Sequence, residues 1–363
     1  MKRIEIYNEI VKCFEHDFSW LGKQVAEEFL LSAASWNIQT YSNPPFRVRR
    51  HLLLFWKPGW LKSTLLERFH TLLGPELCTM MSDITNAALR GTVEAGRFIS
   101  PFTLKRPFSI CTEFGQIIGS ADSTELVQKL LNVLEEGIVL VSLGKIGQLS
   151  AVQRDEIQEE YGITFIDQNT FTYRTNWVLF AGTYNRKFLV DNAFESRFRL
   201  ITPDYRLDSK LTEYVVNTPQ EGVPEDIAIE FRRAIMDKHS VESHMKLPNE
   251  IYEIFEDIDP RSCGQLLSYK LCRAWWGIKT TDEEIIELAK KLKAQSDELW
   301  RTADDKVFDA LMEGPKTLKQ LVEETGLSRR QVYYSLKNIK ATKIYQVDPK
   351  TKDGIFKWRL EAE

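Results

Sequence analysis

HLLLFWKPGWLKSTLLERF, His51 to Phe69, is the stretch from which the fold is read. An apolar run, Leu52 to Trp56, leads into a short loop holding Pro58 and Gly59, and Lys62-Ser63-Thr64 then open an apolar, helix-compatible segment. The order is strand, phosphate-binding loop, helix. Against the template G-x-x-x-x-G-K-[ST], Trp56 stands at the first glycine and Leu61 at the second, but the groups that would touch a phosphate are kept. Gly59 permits a tight turn, Lys62 reaches toward β- and γ-phosphates, and Ser63 offers a hydroxyl to Mg²⁺. The helix that follows points its N-terminal N–H groups at the anion. Pro58, Gly59, Lys62, Ser63 and Thr64 are therefore the nucleotide-binding candidates; the alternative is a capped helix after a core strand.

A chain of 363 residues predicts two or three domains. With 43% apolar and 28% charged residues it has the composition of an ordinary soluble protein, and its net charge of −4 means that any DNA-binding surface must be local. The five cysteines form no C-x-x-C pair, which argues against a zinc ribbon or a disulfide framework and fits a reducing, intracellular setting. The histidines form no H-E-x-x-H. No apolar run approaches the ~18 residues of a membrane span, and the N-terminus lacks a signal-peptide core.

Residues 1–43 read as two helices. Ile4, Ile6, Ile10 and Val11 recur at near-helical spacing, then Val25, Phe29 and Leu30, with Glu27 and Glu28 on the polar side, before Asn43-Pro44-Pro45 breaks the pattern. Pro107 to Cys111 is a short buried strand with Thr112-Glu113 at its C-terminal end, where ligands of open α/β sheets lie. A Walker-B segment carries Asp-Glu there; Thr112 takes the Mg²⁺-supporting place and Glu113 the water-polarising one. Thr124 to Gly137 is an amphipathic helix and Ile138 to Leu143 a strand. Gly162 to Thr175 alternates around Gln168-Asn169 as a hairpin. Trp177 to Ala181 is another buried strand, with Asn185 just beyond it, and Arg197 and Arg199 flank an apolar segment.

These pieces, in this order over residues 44–295, resemble the ATPase domain of the AAA+ superfamily, and within it the minichromosome maintenance helicases. WKPGWLKS is similar to that family's G-D-P-G-x-A-K-S loop in Pro58, Gly59, Lys62 and Ser63. LRGTVEAGRFI looks like its L-E-A-G segment, FSICTEFGQI like its I-D-E-F stretch, and LLNVLEEGIVLVSLGKIG like its helix and helix-2 insert. WVLFAGTYN resembles the sensor-1 strand, which implies Asn185 as sensor 1. FESRFRLI resembles L-S-R-F-D-L-I, which implies Arg197 as the arginine finger, with Arg199 the alternative. DPRSCGQLLSYKLCRAWW resembles the lid helix and implies Arg261 as sensor 2. The resemblance also implies a channel-lining hairpin, with Lys145, Gln168, Asn169 and Arg174 as DNA contacts; a structural β-extension is the alternative. The chain departs from the family at Thr112, and at Trp56 and Leu61, which are bulky where the loop is slim. The family's large N-terminal zinc and oligonucleotide-binding domain has no counterpart in residues 1–43.

Residues 206–300 read as a helical lid. Residues 301–363 hold a helix, a helix-turn-helix with Thr317 and Ser328 as caps and Gly326 as the C′ glycine, and two strands joined by DPKTKDG. They resemble a winged helix-turn-helix domain. Ser328, Arg329, Arg330 and Gln331 would lie nearest the bases, Tyr333 and Tyr334 near the backbone, and Lys350 and Lys352 on the wing. This segment carries 13 Lys+Arg against 10 Asp+Glu, a net +3, while the remainder is −7; a protein partner is the alternative to DNA.

The expectation is an α/β fold: an AAA+ P-loop core (44–205) with a helical leader (1–43) packed on it, a lid (206–300) and a winged helix (301–363). ATP and Mg²⁺ would be bound between subunits of a ring, most simply a hexamer, and Glu113, Asn185, Arg197 and Arg261 would serve hydrolysis. The work would be ATP-driven DNA translocation or unwinding in replication, alongside other replication proteins, and the compact build suggests a virus or mobile element. The alternatives are a nucleotide-binding, weakly hydrolysing DNA-recognition or initiation protein, favoured by Thr112, and a loader of another helicase.

Overall fold

The structure is a computed structural model, mixed α/β, with a central parallel sheet and many helices. It describes residues 1–38, 49–56, 59, 61–81, 86–94, 97–115, 123–142, 149–167, 169–184, 197–202, 209–237, 246–255, 260–300, 303–347 and 354–359. The chain forms two compact units, Met1–Lys290 and Lys291–Glu363.

The first unit opens with α1 (Arg3–Ser35). Phe18 (φ −132°) and Ser19 (φ 55°) break its helical backbone, so the two helices read from the sequence meet at a kink. Next come β1 (His51–Phe55), α2 (Lys62–Leu77), β2 (Cys78–Met81), α3 (Asn86–Arg90), β3 (Thr92–Glu94), β4 (Arg97–Ile99), α4 (Phe102–Lys105) and β5 (Phe108–Cys111). The chain continues through α5 (Ser123–Glu136), β6 (Ile138–Ser142), α6 (Ala151–Tyr161), β7 (Thr164–Phe165), β8 (Thr170–Arg174), β9 (Val178–Thr183) and β10 (Phe198–Ile201). Helices follow: α7 (Ser209–Asn217), α8 (Glu225–Met236), α9 (Glu250–Ile254), α10 (Pro260–Trp275) and α11 (Asp282–Trp300).

Five strands form the central sheet in the order β10-β1-β9-β5-β2, and every neighbouring pair is parallel. β1, β5 and β9 are buried along their whole length. A parallel sheet covered on both faces demands this, and it is why these strands read as unbroken apolar runs. On one face Leu52, Leu54, Ile110 and Phe180 share a core with Phe29 of α1, Phe69 of α2, Phe231 of α8 and Trp276. Phe29 stacks on Phe69 with ring centroids 3.8 Å apart and tilts against Phe180 at 4.8 Å. The leader helix and the helices after β10 therefore complete the same core as the sheet.

The other face holds polar anchors. Trp177 Nε1 donates to Ser109 Oγ at 2.9 Å. His51 is buried, and its Nδ1 accepts from the Leu179 N–H at 3.0 Å, so Nε2 carries the proton and donates to the Leu134 carbonyl of α5 at 3.1 Å. Burial, reinforced by the Arg49 charge, pushes the imidazole pKa down to about 3. The folded state refuses a proton that the unfolded chain accepts near pH 6.5, so stability falls as the pH drops from 6.5 toward 3, by up to about 1.4 kcal/mol per pH unit from this group. Urea unfolding at near-neutral and mildly acidic pH checks this: His51→Asn is expected to start less stable but to lose less on acidification.

A second sheet has the order β6-β8-β7 and is antiparallel throughout. The expected hairpin is there, with Phe165 opposite Phe171, and the strand read at 138–143 joins it as a third member. Helix α6 was not read from the sequence, although its ends carry legible signals: a Ser150–Gln153 capping box and Gly162 at φ 64°.

The second unit has α12 (Ala303–Met312), α13 (Leu318–Thr325), α14 (Arg329–Asn338) and a ribbon of β11 (Thr342–Val347) and β12 (Gly354–Arg359). Val307, Leu311, Leu321, Val332 and Leu336 form its core. Thr317 and Ser328 each close a capping box, with Gln320 and Gln331, and Gly326 at φ 65° ends α13 as expected. Lys316 and Trp358 exchange backbone hydrogen bonds of 3.0 and 2.8 Å, so the chain before α13 adds a short third edge to the ribbon.

Candidate functional site

Strands β1, β9 and β5 are adjacent and parallel, so their C-terminal ends emerge side by side. Phe55 and Trp56 end the first, Thr183 and Tyr184 the second, Thr112 and Glu113 the third. This edge is where an open α/β sheet leaves room for a ligand. A Cβ at Gly182 would lie 3.0 Å from the Thr112 carbonyl oxygen and 3.1 Å from Leu66 Cδ1, so the missing side chain lets β9, the end of β5 and α2 close on one another. The residues read as phosphate loop and Walker-B segment, 50 positions apart in sequence, thus come to one edge of the sheet on either side of β9.

Lys62 is the first residue of α2 and is buried. Its Nζ donates to the Trp56 carbonyl at 2.7 Å and lies 6.0 Å from the Trp56 ring centroid. Burial lowers its pKa, and the charge of half-buried Glu113 works against that shift, which makes the two groups electrostatic neighbours. Ser63 and Thr64 are exposed on the first turn of α2. Gly59 sits at φ 79°, and Leu61 at φ 62°, ψ 2°. A left-handed conformation costs a non-glycine residue roughly 1–2 kcal/mol. The backbone at 61 therefore has the shape of the template's second glycine under another letter, and the packing of Leu61 against the core offsets the strain. Trp56, for all its bulk, is buried and counts among the residues of the core.

The arginine candidates are held within the chain. Arg197, just before β10, is ion-paired with Glu135 of α5. Arg199, in β10, donates Nε to Glu28 at 2.9 Å, and Glu28 also accepts from Arg50 Nη2 at 2.9 Å. Glu28 corrects the sequence reading: it does not face water with Glu27 but is buried, and the two guanidinium charges hold its carboxyl below the usual glutamate range against the opposing effect of burial. Nothing in helical periodicity announces a buried acid whose partners lie 22 and 171 residues away. Asp17 was missed in the same way. It is buried at the α1 kink and accepts the N–H groups of Glu221 at 3.1 Å and Gly222 at 3.0 Å, tying that loop to the helix.

Pro58, Asn185, Lys145, Gln168, Lys350 and Lys352 lie outside the described residues, as does the side chain of Arg261. In the hairpin Asn169 and Arg174 are exposed. The turn also holds Asp167, whose carboxyl accepts the Asn169 N–H at 2.7 Å and is thereby kept below its ordinary pKa, so the hairpin tip carries an acid.

On the second unit Ser328, Arg329, Arg330, Gln331, Tyr333 and Tyr334 are all exposed on or beside α14. Two of them have local work: Gln331 Oε1 accepts from Ser328 N at 3.0 Å and from Ser328 Oγ at 2.7 Å, closing the cap. Among the described residues no cluster of His, Cys, Asp and Glu is arranged to hold a metal ion, none of the five cysteines forms a disulfide, and no helix is long and apolar enough to cross a membrane. Neither a protein-family model nor a curated protein matches the chain.

Proposed function

We propose that the chain is an ATPase of the AAA+ type, similar to the minichromosome maintenance helicases, that acts on DNA in replication. The observation that supports this most is the shared sheet edge at the ends of β1, β9 and β5, where buried Lys62, the first residue of α2, is an electrostatic neighbour of half-buried Glu113. Phosphoryl transfer needs positioned cations, oriented backbone N–H groups and a group that orients the attacking water. Lys62 supplies the first by exchanging the Trp56 carbonyl for phosphate oxygens. The first turn of α2 supplies the second, and Glu113 the third. Mg²⁺, when bound, would neutralise phosphate charge; exposed Ser63 would offer its hydroxyl to hold it, while Thr112 contributes no charge. Asn185 and Arg261 would complete the site as sensors. In a ring, Arg197 would leave Glu135 for the phosphate of a neighbouring subunit.

The test is ATP turnover with and without DNA. Wild type is expected to hydrolyse ATP and to be stimulated by DNA, and Glu113→Gln to bind ATP normally while turnover falls roughly 100-fold or more. Wild-type binding of ATP and DNA without turnover would support the second reading, favoured by Thr112: a nucleotide-binding recognition protein that does not hydrolyse.

A further inference from the structure

The second unit carries a groove of about 710 Å³ lined by Leu318, Arg329, Arg330, Tyr333, Tyr334, Lys343 and Trp358, within the size range of small-ligand clefts. One wall is a single face of α14, because positions 329, 330, 333 and 334 recur at helical spacing. The other is the ribbon, where Lys343 and Trp358 are a directly opposed cross-strand pair. Three cations and three aromatic rings share the groove, and among the described residues no acidic side chain lines it. Tyr333 and Tyr334 are 56% and 52% exposed, adjacent and on the rim, and the Arg330 guanidinium lies 5.6 Å from the Tyr334 ring centroid.

We infer that this groove binds unpaired DNA, with bases stacked on Tyr333, Tyr334 and Trp358 and phosphates met by Arg329, Arg330 and Lys343. This deepens the DNA reading above and rests on it. A duplex keeps the faces of its bases stacked inside the helix and offers only their edges, and of the four side chains at the start of α14 expected nearest the bases, Ser328 and Gln331 are committed to the capping box. Exposed aromatic faces beside cations are what a single strand uses, since every base presents a π-face and every linkage a phosphate. Arg330 behind Tyr334 strengthens that platform by placing a cation against the ring. Binding by this groove is weakly dependent on sequence and strongly dependent on salt.

The experiment measures fluorescence anisotropy of the full chain, without ATP, on a labelled thymidine oligomer and on a mixed-sequence duplex of equal length. Tighter binding of the single strand is expected. Tyr333→Ala and Tyr334→Ala should each weaken it about 5-fold or more, Tyr334→Phe should restore it, and duplex binding should change less than about 2-fold. Tyrosine truncation at two exposed positions leaves the core residues Val332 and Leu336 in place, and circular dichroism confirms folding. A preference for duplex, or single-strand binding indifferent to both tyrosines, would overturn this inference while leaving the DNA reading intact. Failure to bind either DNA would overturn both, and ATP binding at Lys62, measured in parallel, would stand or fall separately.

Discussion

Lys62→Ala should abolish measurable ATP binding at concentrations where the wild type is saturated. The Nζ of Lys62 is a buried cation that donates to a neutral carbonyl, that of Trp56. Replacing that carbonyl with phosphate oxygens turns a neutral-acceptor bond into a charge-assisted one, roughly twice as strong. Losing a buried charged partner costs about 2–5 kcal/mol, or at least ~30-fold in affinity. The variant gives up the bond to the Trp56 carbonyl, which by itself should lower its unfolding free energy by about 1 kcal/mol. Isothermal titration with ATP and its non-hydrolysable analogues, alongside urea unfolding, separates the two effects. Unchanged ATP affinity in a folded Lys62→Ala protein would remove the nucleotide site from β1 and α2.

Glu28→Gln should be the most destabilising single change among the polar positions discussed, by about 3 kcal/mol. The carboxylate on α1 neutralises Arg50, whose side chain is 4% exposed, and Arg199, which is 18% exposed. Arg50 also donates to the Gln265 carbonyl of α10 at 3.1 Å. One acid therefore ties the leader helix to β10, to the residue before β1 and, through Arg50, to a helix more than 200 residues away. Removing its charge strands a buried guanidinium, whereas the partly exposed Arg199 recovers some hydration. In a double-mutant cycle Glu28→Gln with Arg199→Gln should cost clearly less than the sum of the singles. Additive losses would mean that the pair contributes little. The lowered Glu28 pKa makes this contribution fully present above the ordinary glutamate range and lost as the pH falls through the folded value.

These two residues mark how far the sequence could be read. The setting of Lys62 was legible because it is local: the strand before it and the helix it opens follow within twenty residues, and each is specified by neighbours in the chain. The fully apolar strands were legible for the same reason, as were the capping boxes and the glycine of the second unit. Glu28 was not legible. Periodicity assigns a glutamate to the wet side of a helix, and only the arrival of β1 and β10 brings two arginines to it. His51 was equally opaque, since its tautomer and its low pKa depend on a backbone N–H of β9 and a carbonyl of α5.

The sequence by itself determined many of the local pieces: the apolar strands β1, β5 and β9, the hairpin, and the capped helices of the second unit. Tertiary structure alone decided that Trp56 lies in the core and that Leu61 takes a glycine's conformation. It also decided that β9 closes on Thr112 at Gly182, that Glu113 comes within electrostatic range of Lys62, and that Arg197 and Arg199 are paired inside the chain. Hydrogen bonding and apolar periodicity act over a few residues and are written in order along the chain. Burial and charge pairing depend on which surfaces meet, and that is settled only when the strands take their places in the sheet.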